Sequence, residues 1–159
     1  MPKHTEKHVG SKHYAYLALM AVLSFVAMYV LMYAMVNRLP NALPNVNQAY
    51  MAALMTAPMV LIELLVMHNM YPKPGLNLAV AAAAVLLGFG AWFGIREQAA
   101  IADRQFLRSM IPHHAAAILM CEEAKLRDPE VEALCRTIVA NQSGEIDQMR
   151  ELLAGLDTD

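Results

Sequence analysis

The sequence predicts an all-α protein: three transmembrane helices followed by a C-terminal helical hairpin, expected to assemble with other subunits into a four-helix-type bundle. Three observations lead there. Hydrophobic residues make up 58% of the 159 and charged residues only 16%, with a mean hydropathy of +0.36. Charge is also segregated. Between Tyr14 and Ile95 the only acid is Glu63 and the only bases are Arg38 and Lys73, whereas 12 of the 14 acids lie beyond residue 96. At that same point the chain changes from uniformly apolar to amphipathic while keeping a helical period. The division is therefore a polar tail (1–13), a membrane region (14–95) and a helical hairpin (96–159).

The tail sets His4, His8 and His13 among Lys3, Lys7 and Lys12, which reads as a solvated basic segment. Residues 14–36 then carry no charge. A helix of about 20 residues crosses the bilayer core, and this stretch is too long for the core of a cleaved signal peptide. The loop that follows holds Pro40, Pro44 and three asparagines and cannot be a helix. A second span is expected over 49–70 and a turn at Tyr71-Pro72-Lys73-Pro74-Gly75. The third span is expected over 76–95, and since nothing from Leu76 to Ser109 forces a stop, it could continue into the polar part. Pro112 should kink the first hairpin helix, which should end near Arg127. Asp128-Pro129-Glu130 then reads as the start of the second, with Asp128 as N-cap and proline in the first turn.

The first hairpin helix is the richest in chemistry. At 100° per residue, Asp103, Phe106, Met110, His114, Ala117 and Cys121 fall within about 40° of Met110. His113 flanks that stripe, and Met120 lies about 80° away. The second helix carries Val131, Cys135, Ile138, Gln142, Glu145, Met149 and Leu152 at alternating four- and three-residue spacing, the pattern of a seam. Folding the hairpin at Asp128 sets Cys121 opposite Cys135, as a disulfide or a thiol pair, and His114 opposite Gln142. Met149 falls within a turn of Met110. Thioether and imidazole together suit Cu(I), and imidazole also accepts Cu(II); zinc sites prefer cysteine, histidine and carboxylate. The competing reading makes both methionines gap-fillers of a plain core.

The pattern Asp103-x2-Phe106-x3-Met110-x2-His113-His114-x2-Ala117-x2-Met120, then Leu134-x3-Ile138-x3-Gln142-x2-Glu145-Ile146-x2-Met149, closely resembles the family known as domain of unknown function 305. The resemblance implies a ferritin-like fold, a bacterial protein exported or tethered to the membrane, and an association with copper binding and resistance. It implies Met110, His113, His114, Met120 and Met149 as ligands; Gln142 and Glu145 are expected to orient the imidazoles from behind, with Asp103 a further supporting candidate. The cysteines stand outside that pattern. The expected location is the inner membrane. Lysines and arginines near the span ends divide four against four, so the first helix decides the orientation and places the N-terminus in the cytoplasm and the hairpin outside.

The membrane region offers a second candidate. Met51, Met55, Met59, Glu63 and Met67 recur every four residues, and an ionisable group within a span is a functional candidate by default. The stripe reads either as packing or as an ion pathway. Gly90-x3-Gly94 reads as a close-packing face. The net charge of −2, with no basic patch or glycine-rich nucleotide motif, excludes a nucleic-acid partner. No nucleophile–base pair emerges, so no enzyme is expected. The preferred reading is a membrane-anchored, homo-oligomeric copper-binding protein that captures, stores or hands on the metal. The rivals are an oligomeric copper conduit built on the methionine stripe, and a metal-free oligomerisation module.

Overall fold

The computed structural model describes residues 3–156, with side chains from Lys12 onward, so the tail's His4 and His8 side chains lie outside the described residues. Among these residues there are five α-helices and no strand: α1 (Lys3–Leu31), α2 (Val46–Val66), α3 (Pro74–Arg96), α4 (Asp103–Glu123) and α5 (Pro129–Leu156). Short 3-10 turns follow α1, interrupt the 32–48 loop and follow α2. Three segments are long and apolar enough to cross a membrane: Lys12–Met35, Val46–Val66 and Pro74–Arg96.

The chain forms two compact units, one of residues 1–31 with 49–99 and the other of 32–48 with 100–159. In the first, α2 presents Ala52, Ala53, Thr56, Ala57 and Val60 to its neighbours. Small residues let helix backbones approach where lipid supplies no hydrophobic drive between them. A Cβ on Gly88 would lie 3.2 Å from that of Ala57, and one on Gly94 would lie 2.9 Å from the Tyr50 ring. Gly90, expected to share this face with Gly94, has nothing within 4 Å, so Gly88 and Gly94 are the close-approach pair. Buried Thr56 donates its hydroxyl to the Ala52 carbonyl (2.8 Å), with the Met28 sulfur of α1 at 3.9 Å.

The α2–α3 turn is tied down by a polar network. Tyr14 donates to Asn77 Oδ1 (2.6 Å), and Asn77 Nδ2 donates to the Tyr71 carbonyl (2.8 Å). The Tyr71 hydroxyl donates to Glu63 Oε1 (3.1 Å). Tyr71 lies outside the spans, and burial first, then the hydrogen bond and charge of Glu63, push its hydroxyl up to about 12. It therefore stays protonated and remains a donor at any physiological pH.

The third span does not run on into the polar part. It stops at Arg96 in a Schellman arrangement: Ala99 N–H donates to the Gly94 carbonyl (3.0 Å) and Gln98 N–H to that of Ile95 (3.4 Å). Gln98 takes the left-handed position (φ 49°) that glycine usually fills, and Ala100 (φ 57°) is left-handed as well. The Gln98 side-chain amide bonds the Ile95 carbonyl, and Tyr50 donates to that of Ala99, so the helix end is well satisfied without glycine.

In the second unit, α4 and α5 pair around Leu107, Ile111, Ala115, Ile118, Ile146 and Met149. Helix α4 ends at Glu123 rather than near Arg127, and it continues through Pro112. Asp128 Oδ1 accepts from the N–H groups of Glu130 (2.9 Å) and Val131 (3.1 Å), the cap that the sequence announces. The 32–48 loop is more than a connector. Val36 and Leu43 pack on the hairpin core, Arg150 donates to buried Asn41, and Gln105 Oε1 accepts from Val46 N–H (3.1 Å).

Candidate functional site

The central side chain of the hairpin is His114. It sits on α4 beside the buried row Leu107–Ile111–Ala115–Ile118 and is itself only 8% exposed. Its Nδ1 faces the Met110 carbonyl one turn back (2.9 Å), and its Nε2 faces Glu145 Oε2 across the hairpin (2.7 Å). A carbonyl oxygen only accepts, so Nδ1 carries a proton and donates it. The Glu145 carboxylate oxygen likewise only accepts, so at 2.7 Å Nε2 donates to it as well, and Nε2 can offer a lone pair only once Glu145 has moved away and taken that proton. Fixing an imidazole's tautomer through a backbone carbonyl is how metal-ligating histidines are commonly held. Glu145 caps Nε2 from an exposed position, with about half its side chain in solvent, so it can move away.

Met149 is buried and Met110 half-buried against the same core cluster. Gln142, one turn before Ile146, has its Oε1 buried without a hydrogen-bond partner. One imidazole nitrogen, two thioethers and an orphaned amide oxygen thus belong to neighbouring turns of the two helices. Among the described residues no three His, Cys, Asp or Glu side chains gather into a cluster that could hold a metal.

The other expected residues fall away from this layer. His113 is exposed, its ring centroid 6.2 Å from that of His114. Met120 is 54% exposed and ten residues beyond Met110, about 15 Å along the helix. Asp103 is exposed in the first turn of α4. Glu145 faces the metal-capable nitrogen directly, not the outer nitrogen where a supporting residue would sit. The seam on α5 runs through Val139, Ile146, Met149, Leu153 and Leu156, so Val131, Glu145 and Leu152 lie to one side of it. Cys121 and Cys135 are joined in a disulfide with Cα atoms 5.3 Å apart.

In the membrane unit the methionine stripe is not enclosed by the chain. Met51 and Met55 are exposed, Met59 is half-buried, and Met67 lies beyond the end of α2. Only Glu63, three residues before that end, turns inward to its partner Tyr71.

Fold and site together define an all-helical protein with three membrane-length helices and a cross-linked helical hairpin bearing a His–Met layer. A family model described as "Domain of unknown function (DUF305)" matches residues 94–153. The chain is also 32% identical over 111 residues to "Uncharacterized protein L153" of Acanthamoeba polyphaga mimivirus, covering 67% of this chain and 70% of that protein. The chain belongs to this family. An alignment of that length extends beyond the hairpin into the apolar helices. No solved structure matches the chain.

Proposed function

We propose that the protein is a membrane-anchored copper-binding protein that captures, stores or hands on Cu(I) at the His114 layer of its hairpin. The observation that carries this reading is the state of His114: buried, its Nδ1 proton fixed on the Met110 carbonyl, and its Nε2 covered only by a half-exposed carboxylate. Met110 and Met149 would supply thioethers and Gln142 Oε1 a polar contact. Copper bound there supplies a redox-active, thiophilic cation. The chain's part is to aim the ring through the Nδ1–Met110 bond, to shield the layer behind Ile111 and Ile146, and to free Nε2 for the metal by displacing Glu145 together with the proton the two share.

A second copy of the chain is the proposed partner. Phe106, Met120, Val131, Leu134 and Leu152 are all between 43% and 59% exposed on the hairpin. On α5 Leu134 and Leu152 flank the core row beside Glu145, whereas on α4 Phe106 and Met120 lie with His113 on the face turned away from it. Two hairpins meeting through these residues would make a four-helix bundle, with His113 of each copy on the surface offered to the other. The disulfide belongs in an oxidising compartment, which supports an extracytoplasmic hairpin and a cytoplasmic N-terminus.

The same exposed residues favour a second reading, in which the hairpin oligomerises the membrane part without any metal. Elemental analysis of full-length protein purified in detergent without chelators separates the two. Copper in stoichiometric proportion to the chain supports the first; oligomers free of metal support the second.

A further inference from the structure

The Cys121–Cys135 disulfide joins α4 to α5 close to the hairpin turn. Both cysteines are only partly buried, and both line an open cavity of about 510 Å³ whose wall also carries Lys125, Arg136, Glu122 and Glu132. The sulfurs are therefore within reach of small molecules. Ile118 and Val139, about one turn from the cysteines on their respective helices, both belong to the hairpin core, so apolar packing as well as the bond holds the helices together there. Cys121 stands seven residues beyond His114, about 10 Å along α4 on the same side of the helix. This makes it a separate position from the His–Met layer.

We propose that Cys121 and Cys135, when reduced, form a second Cu(I) site with two thiolate ligands, and that the disulfide is the closed form of that site. The proposal rests on the copper reading for the identity of the metal but uses none of the ligands of the His114 layer. Opening the site requires a thiol reductant. Two reductant thiols are oxidised to one disulfide, and their two electrons and two protons pass to the sulfurs of Cys121 and Cys135. One Cu(I) then displaces both protons and forms two copper–sulfur bonds, with no change in its oxidation state. The resulting centre carries one negative charge; in the cavity wall Lys125 opposes it, Arg136 is shared with Glu132 at 3.8 Å, and Glu122 adds a like charge. Zinc would need two more ligands to complete its tetrahedron. Among the described residues no third His, Cys, Asp or Glu joins the pair in a metal-holding cluster. Two soft thiolates are enough for Cu(I) and poor for harder ions.

The test uses full-length metal-free protein in detergent under anaerobic conditions, either oxidised or reduced with a phosphine that is then removed. Cu(I) is titrated against a chromophoric Cu(I) chelator, and thiolate-to-copper charge-transfer absorption is recorded. Reduction should add one Cu(I) per chain and bring in the charge-transfer band. Alkylating the reduced wild type should remove both, which makes the result independent of how any variant folds. Cys121→Ser with Cys135→Ser should show no gain on reduction while binding whatever the oxidised wild type binds. His113→Ala with His114→Ala should keep the gain. Copper bound by the oxidised wild type with no gain on reduction overturns the dithiolate site and leaves the His114 layer standing. A gain on reduction with none bound when oxidised supports the dithiolate site and removes the His114 layer. No copper in either state overturns both.

Discussion

Replacing Ile111 with alanine should be among the most damaging single changes in the hairpin. Ile111 is 0% exposed and is the largest fully buried side chain among the described residues, enclosed by Leu107, Ala115, Ile118, Ile146 and Met149. Truncations of this kind cost about 2–5 kcal/mol, rising with the cavity that remains. Here the walls come from two helices cross-linked at Cys121–Cys135 and from Val36 and Leu43 of the loop, which limits collapse. A loss of about 3 kcal/mol follows. For a unit of this size that lowers Tm by about 12–24 °C. Hydrogen exchange at α4 and α5 amides, read with a thermal melt in detergent, measures it. Leu39→Ala, at a residue 87% exposed, is the control and should stay within about 0.5 kcal/mol of wild type. If Ile111→Ala costs no more than the control, the core is not where the structure puts it.

Two further outcomes follow from the membrane unit. Gly94→Ala should destabilise it by about 1–3 kcal/mol because the new methyl meets the Tyr50 ring at 2.9 Å, whereas Gly90→Ala, with open space around it, should be near neutral by thermal melting in detergent. The Tyr71 hydroxyl titrates near 12 when folded against the usual 10.0. The folded state therefore holds the proton to higher pH, and stability present below pH 10 is lost as pH rises toward 12. Tyr71→Phe should flatten the alkaline limb of the melting profile over that window, and an unchanged limb would contradict the Tyr71–Glu63 assignment.

The three spans were legible because apolar length is a direct demand of the bilayer, and the α5 start was legible because Asp128-Pro129 is a local signal that tertiary packing did not override. The end of α3 was hidden because a left-handed cap is normally announced by glycine, and here Gln98 fills it with help from its own amide and from Tyr50. The asparagines and prolines after the first span read only as helix breakers. Nothing local tells that Asn41 and Asn45 are 5% and 7% exposed under the contacts they make. The hairpin seam was misplaced by about one residue because α5 has two adjacent apolar rows, Val131–Leu134–Ile138–Leu152 and Val139–Ile146–Leu153–Leu156, and periodicity alone does not rank them. That offset is why Glu145 was expected to orient an imidazole and instead covers its Nε2. Gln142 and Met149 lie near the boundary between the two rows of α5, so either choice of seam keeps them on the side turned to α4.

The most direct test of the account is copper stoichiometry in three versions of the full-length oxidised chain, purified in detergent without chelators: wild type, His114→Ala and Met120→Ala. Wild type and Met120→Ala should hold copper in the same proportion, since Met120 lies about 15 Å along α4 from Met110. His114→Ala should hold none while keeping its helical circular dichroism, alanine being the better helix former. Copper retained by His114→Ala at the wild-type ratio, or no copper in the wild type, would contradict the claim that the His114 layer is the metal site.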